Sequence, residues 1–500
     1  MLLIFPPIAK ACEPPAGIAR LAGTLAAHGI PCRLWDANLE GQLWLMEQQP
    51  EANDTWTGRA WRSRKAHLAS LQDPRTYANP GRYATAVNDL NHLLLMAGKL
   101  LQAEVGLADF RQTDLTPVRS KDLLQAAARP ELNPLFPFFQ QRLPELLDGI
   151  TTVGISLNFL SQAICSFALI GLIRQQYPNV KIVVGGGLVT TWLSRPDWQN
   201  PFGSLIDHLI AGPGEGPLLA LMGQDTSQYG GMPDYQQLPL QQYLSPGLIL
   251  PYSAASGCWW NRCSFCPERA EGNRYLPLPT SLVLAELQQL VHQYQPTLLH
   301  LLDNALSPAL LQGLIEHPPG VPWYGFVRFE KQLADLQFCH ALKQSGCVML
   351  KLGIESGDQA VLDRLHKGIE LGMAGLILEN LRQAGIAVYG YLLFGTPAED
   401  QEAARRTLTF VQQHHAAISF LNLAIFNMPL FGDEVPEYET ELFYEGDLSL
   451  YTGFTHPKGW GRGEVRRFLR QEFSRPQEIA AIIRRDPPQF SSNHAAFLTP

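Results

Sequence analysis

The chain has 500 residues, 46% of them hydrophobic, and carries 46 acidic against 38 basic side chains. That length exceeds one ordinary core and suffices for two or three domains, while the acidic balance and the lack of a dense Lys/Arg run argue against nucleic acid as a partner. No stretch of about 18 apolar residues offers a membrane-spanning helix, and eight cysteines are too sparse for a disulfide scaffold, so the composition predicts a soluble multidomain protein of a reducing cytoplasm.

The chain opens on LLIF, an apolar run that reads as a buried strand, with prolines at 6 and 7 before a signal-peptide core could form. PPAGIARLAGTLAAHG has apolar residues at helical spacing and a glycine stop, and IPCRLWD is a second strand. Residues 45–145 break this rhythm with helical stretches such as YATAVNDLNHLLLMAGKLLQAEV and no clear strand, and are read as a helical insertion. The alternation resumes at TTVGISLNF, QAICSFALIGLIRQQY, NVKIVVGGG, SLIDHLIAG and GEGPLLALM. Residues 1–222 are therefore expected to form a doubly wound parallel sheet.

Residues 223–248, rich in Gln, Pro and Gly, read as a linker. Beyond it LILPYSAA, TLLHLLD, WYGFVRF, VMLKLGI, AVYGYLLF and FLNLAIF are candidate strands separated by helix-length segments. Six such repeats over 249–430 are fewer than the eight of a full barrel and predict a partial, open (β/α)6 barrel. Residues 431–500 form an aromatic, irregular extension with a basic helix near GEVRRFLRQEF.

Cys258, Cys263 and Cys266 lie in GCWWNRCSFCP, directly after the first barrel strand, where a barrel's C-terminal mouth collects active sites. A structural zinc site needs four ligands and no fourth Cys or His stands nearby, His292 being the nearest downstream. A redox dithiol would leave Cys258 idle. Iron–sulfur clusters usually take four thiolates, so three suggest a 4Fe-4S cluster with one iron open to a further ligand.

The triplet, Phe265 before its last cysteine and the partial barrel resemble the radical SAM superfamily. The resemblance implies that the open iron chelates S-adenosylmethionine, which is cleaved to a 5′-deoxyadenosyl radical by an electron from a donor such as flavodoxin or ferredoxin. The commonest spacing has three residues between the first two cysteines; the four here resemble a variant of cobalamin-binding members. KLGIESGDQAVLDRLHKGI is similar to the fourth-strand motif and implies Glu355 and Ser356 as nucleoside contacts. YLLFGTPAED resembles the GxPxE motif and implies Gly395 and Pro397 beside the adenine. The resemblance places Asp303 in LLDNALSP at the second-strand end, near the methionyl group, and Arg328 at the end of the third strand; the two touch the cofactor or are an ordinary surface pair.

In the first domain the loops FPPIAK, SLNFLSQ, GGGLVT and AGPGEGP follow the strands that a doubly wound sheet presents to its ligand. No GxGxxG follows the first strand, which argues against a Rossmann nucleotide site, and Gly185, Gly186 and Gly187 let backbone amides approach a bulky group. Together these segments resemble the cobalamin-binding domain of one radical SAM subgroup, implying Pro7, Ser156, Asn158, the three glycines and Glu215 as cobalamin contacts. DANLEG (36–41) imitates DxHxxG but has Asn38 for the histidine and follows the second strand, so no histidine of this motif reaches cobalt. Pro213 replaces an acidic residue of the subgroup pattern.

The resemblance implies an enzyme that methylates an unactivated carbon of a small molecule or peptide. A non-methylating cyclisation, rearrangement or oxidation is the alternative, and a cobalamin- or cluster-binding regulator without turnover is the reading from another class. Trp44, Trp56 and Trp61 of the insertion and Tyr444, Tyr451, Phe454 and Trp460 of the tail either cap a pocket or fill cores. His414, His415, His456 and His494 have no assigned role.

Overall fold

The computed structural model describes residues 1–51, 54–225, 230–443, 446–488 and 494–499. The chain divides into two compact units, the first comprising residues 1–248 with a short piece of the tail (446–450), the second beginning at Ile249.

In the first unit β1 (Leu2–Phe5) pairs in parallel with β2 (Arg33–Asp36), the helix Ala16–Ala27 crossing between them. The insertion carries the helices Thr55–Leu71 and Pro80–Gly98, and then a short antiparallel hairpin of β3 (Ala103–Val105) and β4 (Phe110–Gln112). This corrects the strand-free reading of 45–145. The helix expected to run through 105 stops at Gly98, where a Cβ would strike the Ala103 carbonyl, and Gln102 at φ 53° turns the chain back.

β5 (Thr152–Ser156), β6 (Lys181–Gly185) and β7 (His208–Leu209) complete a parallel sheet in the order β2-β1-β5-β6-β7. Counted within the sheet this is 2-1-3-4-5, so the order reverses between β1 and β5 and opens a crevice beyond their carboxyl ends. The helix Leu160–Gln176 is buried at every position from Gln162 to Ile173. It lies so close to the helix Ser120–Ala128 that Gly171 has no room for a side chain against Ala127. Residues 230–248 run along this unit: Asp234 N–H donates to the Ala19 carbonyl at 2.9 Å and the Tyr243 hydroxyl to Asp36 at 2.7 Å. Leu448 of the tail donates to the Val118 carbonyl at 2.9 Å, and Arg195 donates to the carbonyls of Asp447 and Ser449.

The second unit begins with β8 (Ile249–Tyr252), followed by β9 (Ala255–Ser256) and β10 (Leu276–Pro277), which pair antiparallel and close the loop between them. β11 (Leu298–Leu301), β12 (Trp323–Val327), β13 (Cys347–Glu355), β14 (Ala387–Phe394) and β15 (Phe420–Ile425) then join β8 in a six-stranded sheet. Its order is β8-β11-β12-β13-β14-β15, parallel at every step, with β8 and β15 at the edges. Helices such as Thr280–Tyr294, Pro308–Glu316, Leu336–Gln344 and Leu371–Ala384 cross between consecutive strands. Both units are α/β, a doubly wound sheet and a partial six-stranded barrel, as the sequence predicts. In the tail the basic helix spans Arg462–Phe468 and runs into one π turn, Leu469–Phe473.

Candidate functional site

The three barrel cysteines sit on the loop that β9 and β10 pinch off after β8. Gly257 opens it at φ 75°, and a Cβ there would run into the Arg274 carbonyl, so both backbone conformation and space require glycine. Cys263 is buried, Cys258 and Cys266 are half-buried, and Cys266 leads into the short helix Pro267–Ala270. Burial pushes the Cys266 thiol up to about 11, against the pull of the Glu268 and Arg269 N–H groups. It pushes Cys263 up as well, while Lys367 and Arg328 act in the opposite sense.

Among the described residues no three His, Cys, Asp or Glu side chains gather closely enough to hold a single metal ion. A cluster poses a different demand, because each thiolate binds its own iron and the sulfurs stand apart around a bulky group. The loop meets that demand in its donors: three thiols, two nearby cations, and two buried polar atoms, Trp259 Nε1 and Ser264 Oγ, that have no hydrogen-bond partner. Donors of this kind suit the sulfide face of a cluster.

Arg328, expected at the cofactor or in a surface pair, is 6% exposed. Its guanidinium lies over the Trp260 ring at 4.0 Å, Nη1 stands 4.0 Å from the Cys263 sulfur, Nη2 donates to the Lys367 carbonyl, and Nε is 3.5 Å from Glu330. Trp260 is fixed in turn: its Nε1 donates to the His366 carbonyl at 3.1 Å, and Gly368, at φ 67°, has no space for a Cβ beside the indole. Trp259 and Trp260 therefore pack the widened cysteine loop, edge to face at 6.1 Å.

Glu355 ends β13 at φ 60°, where pairing with β14 slips by one residue. The irregularity swings its carboxylate back over Gly353 to meet Lys367 Nζ at 2.6 Å, with both side chains about nine-tenths buried. Lys367 Nζ also faces the Phe265 ring at 5.5 Å, and Phe265 packs against Val361, Leu365 and Ala403. Ser356 is fully buried, its Oγ 3.2 Å from Thr407 Oγ1 and accepting from Asp358 N–H. Asp303 is 4% exposed and accepts from Ala254 N–H at 3.1 Å, which ties the end of β11 to the start of the cysteine loop; burial pushes its carboxyl up to about 6.

Gly395 (φ 79°) and the buried Pro397 form the turn after β14. Glu399 closes the turn by accepting from Gly395 N–H at 2.5 Å and Trp460 Nε1 at 2.9 Å, and its other oxygen is buried without a partner. His456 supports the same turn: Nε2 donates to the Thr396 carbonyl at 2.9 Å, while Nδ1 accepts from Lys458 and Trp460 N–H, which fixes a neutral tautomer. Burial pushes Glu399 up from 4.5 to about 7. The protonated carboxyl therefore stabilises the fold in full below pH 4.5, and that contribution is lost as pH rises through 7. Glu399→Gln keeps an oxygen for both donors and is expected to flatten the decline of Tm between about pH 5 and 8. Thermal unfolding at constant ionic strength checks this; an unchanged slope would assign the titration to another group.

In the first unit the sequence-nominated loops gather at the carboxyl ends of β1, β5, β6 and β7. The β1 loop with buried Pro7 is clasped from two sides. Asn38 Oδ1 accepts from Ala9 N–H at 2.7 Å and Gln42 donates to the Ala9 carbonyl at 2.7 Å, while Gln162 donates to Pro6 and Ser161 to Ile8. Asn38, in the histidine position of DANLEG, is thus committed to this clasp. Asn158 donates to Ser156 and accepts from Gly187 N–H at 3.0 Å. Gly186 at φ 111° fits against the Leu157 carbonyl with no space for a Cβ, Gly185 ends β6, and Glu215 starts the helix Glu215–Leu221. Phe159, 54% exposed, adds an apolar surface beside Asn158 that the sequence reading missed.

The remaining candidates are local. Trp44 packs on Phe138, Trp56 on His92 and Trp61 beneath Arg64, Phe454 lies against Phe426, and Tyr451 is half-buried. Tyr444 lies outside the described residues. His414 and His415 stand at the end of the helix Gln401–Gln413, and His494 lies between Tyr389 and Phe420. Lys367 and Glu399 were both missed as single residues, although each lies inside a motif the sequence displays.

No family model matches the chain. It is 25% identical over 193 residues to an uncharacterised methyltransferase of Pyrococcus horikoshii, covering 36% of this chain and 41% of the relative. It is also 25% identical over 185 residues to the bacteriochlorophyllide d C-12(1)-methyltransferase of Chlorobaculum tepidum, covering 35% and 40%. The chain thus spans about two fifths of the length of these relatives. Among solved structures it resembles the radical S-adenosylmethionine methyltransferase TsrM of Kitasatospora setae with tryptophan and an S-adenosylmethionine analogue bound, at 15% identity and a TM-score of 0.56 over 96% of this chain and 88% of that one. A second TsrM structure, with cobalamin and a [4Fe-4S] cluster bound, gives 0.52 at 15% identity over 89% and 81%. The chain has the fold of these proteins.

Proposed function

We propose that this chain is a cobalamin-dependent radical enzyme that methylates an unactivated carbon of a small molecule or peptide. The observation that carries this reading is the three-thiol loop at the carboxyl mouth of a six-stranded parallel barrel, with two buried cations and two unpartnered donors around it. Cys258, Cys263 and Cys266 would hold a 4Fe-4S cluster. S-adenosylmethionine would lie across the strand ends near Phe265, Asp303, Glu355 and the Gly395–Pro397 turn, with Ser356 acting from within by fixing the backbone after Glu355. When bound, these groups supply hydrogen abstraction from carbon and a methyl group to replace it.

The protein's own task is to bind, orient and exclude water. Gly257 sets the cysteine loop, Glu355 and Lys367 close the end of β13, and Glu399 fixes the turn that would carry the adenine. In the first domain (1–222), Pro7, Ser156, Asn158, Gly185, Gly186, Gly187 and Glu215 would take cobalamin at the crevice where the strand order reverses. Asn38, at the histidine position of DANLEG, is bonded to the β1 loop. The reading includes a flavodoxin- or ferredoxin-type electron donor and a cytoplasmic setting. Among the described residues no helix is long and apolar enough to cross a membrane.

Anaerobically purified, reconstituted protein is expected to show cobalamin bands and an iron–sulfur shoulder, to release 5′-deoxyadenosine on reduction, and to pass label from methyl-labelled S-adenosylmethionine to product. Label absent from every product would overturn methylation, and absence of 5′-deoxyadenosine would overturn the radical reading.

A further inference from the structure

Four residues separate Cys258 from Cys263, one more than in the commonest spacing, and the first two of them are Trp259 and Trp260. What the longer loop accomplishes is visible in what Trp260 touches. Its ring lies under the Arg328 guanidinium at 4.0 Å, its Nε1 is anchored on the His366 carbonyl, and Gly368 leaves room for it. Trp259 faces the same guanidinium at 5.7 Å. Arg328 is thereby a buried, always-charged group held in one orientation by an aromatic platform, the Lys367 carbonyl and Glu330, with Nη1 directed at the Cys263 sulfur at 4.0 Å. Nothing in this arrangement requires Arg328 to reach a substrate.

We infer that Arg328, seated on Trp260, is a positioning residue that sets the reduction potential of the cluster through Cys263; this rests on the cluster reading above. Reduction adds one electron from the external donor and no proton, so the cluster becomes one unit more negative. A fixed cation and an N–H donor beside a ligating sulfur stabilise the more negative form and raise the potential. Glu330, 3.5 Å from Arg328, acts in the opposite sense. The widened loop therefore seats the Arg328 charge beside the Cys263 sulfur, and the tryptophan pair is that seat.

The test is an anaerobic redox titration of the reconstituted protein followed by electron paramagnetic resonance, with iron counted in each sample. Arg328→Gln is expected to lower the midpoint, so that the ratio of reduced to oxidised cluster at a fixed potential falls about tenfold, equal to about 59 mV for one electron. Arg328→Lys should recover only part of the shift, because the ammonium lacks the planar face that stacks on Trp260. Glu330→Gln should shift the midpoint upward. Opposite signs for Arg328→Gln and Glu330→Gln are what a merely structural role would not produce. Equal midpoints in loaded wild-type, Arg328→Gln and Glu330→Gln protein would overturn the inference while leaving the cluster reading intact. Failure of the wild-type protein to take up iron and sulfide would overturn both.

Discussion

Replacing Cys258, Cys263 or Cys266 singly by alanine is expected to abolish the iron–sulfur absorbance of the reconstituted protein and reduce 5′-deoxyadenosine release to background. Each thiolate is asked to hold a separate iron, and no fourth protein thiol stands in the loop to substitute. The fold should survive, because the loop is closed by the β9–β10 pairing and by Gly257 rather than by the sulfurs. Thermal unfolding of the metal-free variants should therefore match that of the metal-free parent within about 1 kcal/mol. Cobalamin bands should persist in all three, since the loops assigned to cobalamin belong to the other compact unit. Cys165, Cys339 and Cys347 are buried elsewhere and provide the contrast: their serine variants should keep the cluster. Retention of iron and sulfide in any of the three loop variants would remove that cysteine from the donor set. A stoichiometric zinc content in place of iron would return the loop to a structural reading.

The strands of both sheets are legible in the sequence for a simple reason. A parallel strand buried on both faces reads as a near-continuous apolar run, as LLIF, IVV and AVYGYLLF do. The β3–β4 hairpin is not legible, because three-residue strands such as AEV and FRQ bury one side only and sit after a helix whose periodicity runs into them. SLIDHLIAG reads as a full strand yet pairs at only two residues, His208 and Leu209, at the sheet edge. The cysteine loop and the Gly395–Pro397 turn are legible because their chemistry is local in sequence. The contacts that give those segments their charge are not. Arg328 reaches Cys263 from 65 residues away, and Trp260 shows no partner in the sequence until Gly368 and the His366 carbonyl are brought against it. Trp460 meets Glu399 across 61 residues. Asn38 shows the converse: its motif is legible, but its partner Ala9 on the β1 loop is a matter of fold.

The second large effect is expected at the ion pair over Gly353. Glu355 and Lys367 meet at 2.6 Å with both side chains about nine-tenths buried. Removing one partner of such a pair strands a charge away from water and typically costs about 3–5 kcal/mol. Glu355→Gln and Lys367→Met are each expected to lower the unfolding free energy of the barrel unit, read from urea titration, by an amount of that order. The double variant, which leaves no buried charge, should recover most of the loss. A coupling energy of more than about 2 kcal/mol in this cycle would establish the pair, whereas additive losses would show that the two residues act independently. Two constraints sharpen the choice of variant. Glycine at 355 would relieve the positive φ, a gain of about 1–2 kcal/mol that masks part of the lost pair, so glutamine is the informative replacement. At Lys367, methionine keeps an unbranched apolar side chain of similar length while removing the ammonium that faces Phe265. Ligand binding separates the structural role from the proposed nucleoside contact. If Glu355 also touches S-adenosylmethionine, Glu355→Gln weakens binding at a temperature where both single variants are fully folded, while Lys367→Met at matched stability binds as the parent does. Equal binding losses in the two would assign the carboxylate to the fold alone: it would hold the bulged end of β13 in shape, and the ribose contact would fall to the backbone that follows it.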